Sequence, residues 1–255
     1  MNFTFTGPFL VFAFFFGLLL FLKIGQRIGL ASASGSRAWV TTVNGSVFGL
    51  LGLLIAFTFS GAATRFEDRR HLITEEANAI GTAYLRIDQL PADVQPEIRA
   101  LFRHYTELRA ITYNDVTDIT ATNAKLGEAE AIQKLIWGKA SNASLRQDAH
   151  PSAATLFLPA LNEMIDIVTT RVVATENHPP LSIYLLLAGL SLMGSLLIGF
   201  EMSSDKKAKW LHMIVFSGVM AIAVYVIIDL EYPRMGLIQI HSADHVLTDL
   251  RKGMD

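Results

Sequence analysis

The residues with chemical potential in this sequence cluster where its apolar runs end. Arg65, Glu67, Asp68, Arg69 and Arg70, followed by His71, Glu75 and Glu76, crowd into one short stretch. Fixed charges of this kind can line an ion vestibule, because a wall of one sign concentrates counter-ions. They can also form a helix face that satisfies itself, with pairs such as Arg65 with Asp68 and Glu67 with His71. The signs nearly cancel here, which favours a solvated, mutually paired face. Asp229, Glu231 and Arg234 make a second group. A carboxylate inside hydrocarbon would handle ions or protons. Asp229 falls near a membrane interface, so hydration or pairing with Arg234 is expected, and His212 is also expected to be interfacial. His241, Asp244 and His245 have the spacing of metal ligands on a helix. No third ligand set accompanies them, and a surface tail accounts for them, so no metal or cofactor is expected.

Missing chemistry narrows the field further. The chain has 0 cysteines, which removes disulfides, thiolate catalysis and Cys-ligated metal sites. It has no phosphate-binding loop, no nucleophile elbow, no HExxH and no dinucleotide glycine fingerprint. Potassium-filter and Arg-rich voltage-sensor sequences are absent too. Enzyme chemistry has no residues to rest on. The net charge of −2, without a basic stripe, gives no footing for nucleic acid.

The elements that carry these groups are membrane helices. Apolar runs at 8–22, 43–63, 181–200 and 210–230 flank a long polar middle in a chain that is 51% hydrophobic. About 20 apolar residues cross the hydrocarbon as a helix, and a helix is the form that satisfies its own backbone there. The first run lacks the positive leader of a signal peptide and reads as a retained helix. Segment two runs without a stop into TRFEDRRHLITEEANAIGTAYLRIDQLP and predicts one long helix ending near Pro91. Amphipathic helices follow from about Ala92, over Ala124–Ala140 and over Ala153–Thr175. Their apolar stripes need partners, so the middle predicts a helical bundle. The expected fold is an all-α integral membrane protein: four transmembrane helices in two hairpins with an inserted extramembrane helical bundle. Residues 1–63 form the first hairpin, 64–178 the bundle, 179–231 the second hairpin and 232–255 a tail with a short helix near 242–252.

Segment two has the clearest pattern within the membrane. Gly45, Gly49, Gly52, Ala56 and Ser60, with Ala63 beyond, recur at spacings of three and four. Such a stripe permits close helix packing or forms a pore wall. Phe48, Leu51, Ile55 and Phe59 occupy another face, and rings of them would make a hydrophobic constriction. Lys23, Arg27 and Arg37 in one short loop, with Lys206, Lys207 and Lys209 in the other, place both loops in the cytoplasm. The bundle and both termini are then extracytoplasmic, with Arg65, Arg69 and Arg70 as the opposing charges.

The run FTFSGAATRFEDRRHLITEEANAIGTAYLRIDQLP (Phe57–Pro91) resembles the bestrophin-like family of bacterial membrane proteins, as does DLEYPRMGLIQI (Asp229–Ile240). The resemblance implies kinship with bestrophins, pentameric anion channels whose second membrane helix lines the pore. Bestrophins place their helical domain in the cytosol, opposite to the charge count here, and no acidic run resembles their calcium clasp. The expected function is therefore a homo-oligomeric ion channel of the bacterial inner membrane, in contact with lipid and inorganic ions. As the resemblance implies it, the channel is a pentamer that conducts anions, with segment two lining the pore. The alternative is a non-conducting membrane scaffold or sensor whose bundle binds a partner. A proton-driven motor subunit would need an intramembrane carboxylate, for which Asp229 alone comes near.

Overall fold

A computed structural model describes residues 3–32, 37–114, 119–203, 210–233, 237–238 and 241–254. Among the described residues there is no strand, and eight α-helices account for the regular structure: α1 Phe3–Ala31, α2 Arg37–Leu85, α3 Gln95–Asn114, α4 Ile119–Ser144, α5 Ala153–Glu176, α6 Leu181–Met202, α7 Trp210–Glu231 and α8 His241–Lys252. Four helical stretches among these residues are long and apolar enough to cross a membrane. The unbroken helix expected through segment two is α2, 49 residues long. It closes with a single 3-10 turn at Arg86–Gln89, where Leu90 turns to extended backbone immediately before Pro91. Segment one extends further than its apolar run, because α1 carries Lys23 and Arg27 within the helix and ends at Ala31. The loop lysines Lys206, Lys207 and Lys209 lie outside the described residues.

The chain divides into two compact units. The first comprises residues 1–66 and 178–239. Its core gathers Leu18, Leu51, Ala62, Leu187, Met220, Ile227 and Leu230 from α1, α2, α6 and α7. Glycines set the approach of α1 to α6. A Cβ on Gly25 would lie 2.9 Å from the backbone nitrogen of Phe200, and one on Gly199 would lie 2.8 Å from the carbonyl carbon of Leu22. Lipid is as apolar as leucine, so intimate backbone contact of this kind holds membrane helices together where the hydrophobic effect gives little.

The second unit comprises residues 67–177 and 240–255. Its buried side chains include Ile73, Ile80, Ile98, Phe102, Ile136, Phe157, Leu161 and Met164. These are the stripes expected of a water-soluble bundle, where removal of apolar area from water supplies the drive. The C-terminal helix belongs to this unit. Leu247 is buried, Tyr84 donates its hydroxyl to the carbonyl of Met254 at 2.7 Å, and Arg103 Nη1 donates to the same oxygen at 3.2 Å.

Candidate functional site

Helix α2 presents two contrasting sides within the first unit. Gly45, Gly49, Gly52, Ala56 and Ser60 are all exposed. At roughly 100° per residue they share an arc of about 80°. A Cβ added to Gly45, Gly49 or Gly52 would meet no heavy atom within 4 Å. Within the chain, close backbone approach is made by α1 and α6, and these glycines face no other part of it. Ala63, at the end of the same stripe, is half-buried and packs against the core.

The side considered for a constriction divides. Leu51 is 1% exposed and sits in the core. The Phe48 ring lies over Gly194 and meets Phe216 edge to face at 6.0 Å, and Ile55 packs against the same core. These three point into the subunit, where they hold α2 to α6 and α7. Phe59 is 45% exposed. Of the four apolar spans α2 is also the least covered, with 11% of its most apolar stretch buried against 28% for α7.

The charged stretch after Ala63 also separates by partner. Arg65 does not pair with Asp68. Its Nε donates to Glu231 at 2.8 Å, and Nη2 reaches the same oxygen. Glu231 is 1% exposed, and its second oxygen lies 3.4 Å from His178 Nδ1. His178 in turn stacks on Tyr232 at 4.6 Å. Asp229, also buried, accepts backbone N–H bonds from Leu237 at 3.0 Å and Ile238 at 2.8 Å. Those amides keep a desolvated carboxylate satisfied. Arg234, its expected partner, lies outside the described residues.

In the second unit Arg69 donates from Nε to the carbonyl of Ala174 and from Nη2 to that of Asn177, both at 2.9 Å. It thus caps the end of α5, where orphan carbonyls favour a cation. Glu67 and Arg70 pair loosely at 3.5 Å on the surface, Asp68 is exposed, and His71 pairs with Glu75 at 3.2 Å. Glu76 has left the surface. It is 0% exposed and receives Arg109 on one oxygen and Arg171 on the other. Removing any one of the three would strand a buried charge.

The sequence matches the profile of the Bestrophin-like domain over residues 9–244. The chain belongs to the bestrophin-like family. Among curated proteins none matches it. Its fold is similar to crystal structures of two single-substitution variants of a bacterial bestrophin homolog from Klebsiella pneumoniae. One aligns with TM-score 0.68 at 16% identity, covering 94% of this chain and 98% of that one. The other aligns with TM-score 0.65 at 14% identity, covering 94% and 98%. A third crystal structure, described as that of a membrane protein, aligns with TM-score 0.67 at 15% identity over 93% and 98%. The bestrophin-like chain is thus an all-helical membrane protein with the bestrophin fold.

Two features of this chain escaped the sequence reading. Arg109 and Arg171 continue the buried stripes of α3 and α5, in helical register with Tyr105 and Met164. A lone arginine on an otherwise apolar face, matched by a second on another helix and by Glu76, was the available signal. The glycines of α1 were the other, since Gly25 and Gly29 repeat at four residues beyond the expected end of segment one.

Proposed function

We propose that this bestrophin-like protein is a homo-oligomeric ion channel, with α2 of each subunit lining the axial path through the face of Gly45, Gly49, Gly52, Ala56 and Ser60. The observation that carries the reading is the open glycine face on a helix whose opposite side is fastened into its own subunit. Against lipid, small side chains leave backbone uncovered and forfeit packing. Around an axis, they give copies of the helix room to approach and leave space between them. Of Phe48, Leu51, Ile55 and Phe59, Phe59 is the one exposed and left to narrow such a path. The pentameric count and the anion preference come from the resemblance to bestrophins. The exposed charges just past the membrane span, Glu67, Asp68 and Arg70, sum to −1 and bias toward cations, so selectivity is the property to measure.

Purified full-length protein, reconstituted in vesicles, is expected to assemble as a homo-oligomer and to pass ions, with the reversal potential in a salt gradient giving the sign. A correctly assembled protein that passes neither anions nor cations moves the reading to a scaffold or sensor. Family membership would stand in either case.

For orientation we propose that the two short loops face the cytoplasm of a cell whose inner membrane holds the protein, as the positive-inside rule directs. A chain without cysteine reports single introduced thiols cleanly. Ser34→Cys and Ser204→Cys, in loops outside the described residues, should be shielded from an impermeant thiol reagent in intact cells. Gln147→Cys, exposed between α4 and α5, should react once the outer barrier is opened. The reverse pattern assigns the bundle to the cytosol, as in bestrophins.

A further inference from the structure

Two cations follow the apolar run of α1. Lys23 and Arg27 are exposed, and among the described residues neither takes part in a hydrogen bond or ion pair. Four residues apart, they stand side by side on the helix, separated by about 6 Å along its axis. Phe12, Phe16 and Leu20 continue the same face, 64%, 62% and 57% exposed. At roughly 100° per residue these five residues fall within an arc of about 80°. The buried residues of α1, which are Leu18, Leu22, Gly25 and Gly29, centre about 150° away, toward the core and α6. The outer stripe therefore points away from the contacts that hold α1 in its subunit.

α1 is one of the stretches long and apolar enough to cross a membrane, so acyl chains are the natural cover for this stripe. The cations at its end select among lipids. From Phe12 to Lys23 the helix rises about 16 Å, close to half of a hydrocarbon core about 30 Å thick. One acyl chain of one leaflet spans that distance. Where it ends, a guanidinium and an ammonium one turn apart can converge on a single phosphate, the first as a planar fork and the second as a point charge. Neither cation is neutralised within the chain, so a headgroup with net negative charge is favoured over a zwitterionic one.

We propose that the outer face of α1 is a docking site for an anionic phospholipid, its phosphate between Lys23 and Arg27 and an acyl chain along Leu20, Phe16 and Phe12. The site does not depend on conduction.

The test presents detergent-solubilised full-length protein with palmitoyl-oleoyl phosphatidylglycerol or with the phosphatidylcholine of the same chains. Native mass spectrometry across a titration reads lipid bound per subunit. Saturable binding of phosphatidylglycerol is expected, about tenfold tighter than phosphatidylcholine, because each nearby cation favours an anionic headgroup. Lys23→Gln and Arg27→Gln alone should each lower that ratio about threefold, and a ratio that neither changes overturns the site. The decisive variant combines both with Ser34→Lys and Ser36→Lys, which keeps the net charge of the connection to α2 and moves it off this face. It should lose the preference while particle size and melting temperature stay those of the wild type. A wild-type ratio near one overturns the ligand class. A preference that survives the relocation belongs to diffuse loop charge and overturns the site. A relocated variant with altered particle size makes the face a contact between copies and overturns the lipid as its occupant.

Discussion

Two sets of glycines in the membrane unit have the same spacing and opposite surroundings. Gly25 and Gly29 of α1, with Gly199 opposite on α6, lie so close to the facing backbone that no Cβ fits, whereas Gly45, Gly49 and Gly52 face open space. Both sets read alike in sequence, as small residues three or four apart. The difference lies in what the helices have already buried. α1 and α6 close on each other inside the chain, and α2 is anchored by its other side, through Phe48 and Leu51. A small-residue stripe therefore records that backbone will be approached, and the fold decides by what.

The largest effect is expected where the contact is already closed. Gly199→Leu would drive a side chain into the backbone of Leu22, a rigid neighbour that cannot swing aside. Overpacking commonly costs about 1–3 kcal/mol, and a clash with backbone belongs at or above the top of that range. The variant should be lost to aggregation or run with a melting temperature many degrees lower in detergent. A Gly199→Leu protein that melts with the wild type would break the comparison, because α1 and α6 would then not meet as described.

How much of this was legible follows from the same elements. The unbroken α2 was readable because no proline interrupts the chain between Pro8 and Pro91, and a helix needs no tertiary partner to continue. The bundle helices were readable because water imposes a period of about 3.6 on their apolar residues. The membrane contacts were not. Lipid rewards every apolar residue equally, so Phe48 and Leu51 carried no mark that they face inward while Leu50 and Leu53 face out. The ionic contacts were half legible: Glu231 and Glu76 were visible as charges, but their partners Arg65, Arg109 and Arg171 come from other helices. Local pairing rules chose Asp68 for Arg65, because residues three apart are the pairs a sequence displays.

A middle-sized effect belongs to the fastened side of α2. Leu51→Ala opens a cavity among Leu18, Leu187 and Met220, and removal of a buried leucine commonly costs about 2 kcal/mol or more, about 2–3 here because lipid tails offer part of the lost contact. The melting temperature should fall without a specific change in ion flux per assembled particle. A selective rise in flux with unaltered melting would mean that Leu51 lines the path, which would exchange the roles of the two faces.

The smallest effect on stability decides the most. Gly49→Ala places a methyl group where nothing stands within 4 Å of the chain. In the isolated subunit the change should be neutral or stabilising, by up to about 1 kcal/mol, because alanine favours the helix over glycine. The assembled protein should respond differently. If copies of α2 surround an axis, the added carbon repeats in every subunit and narrows the path. Gly49→Leu would do so more strongly or block assembly. Flux per particle should then fall in the order Gly, Ala, Leu while the melting of the subunit barely moves. A lipid-facing position predicts the opposite, since leucine covers a bare backbone toward acyl chains at no penalty. Flux and particle size unchanged across all three residues at position 49 would leave the glycines of α2 facing lipid, and the open face would lose its claim to the pore.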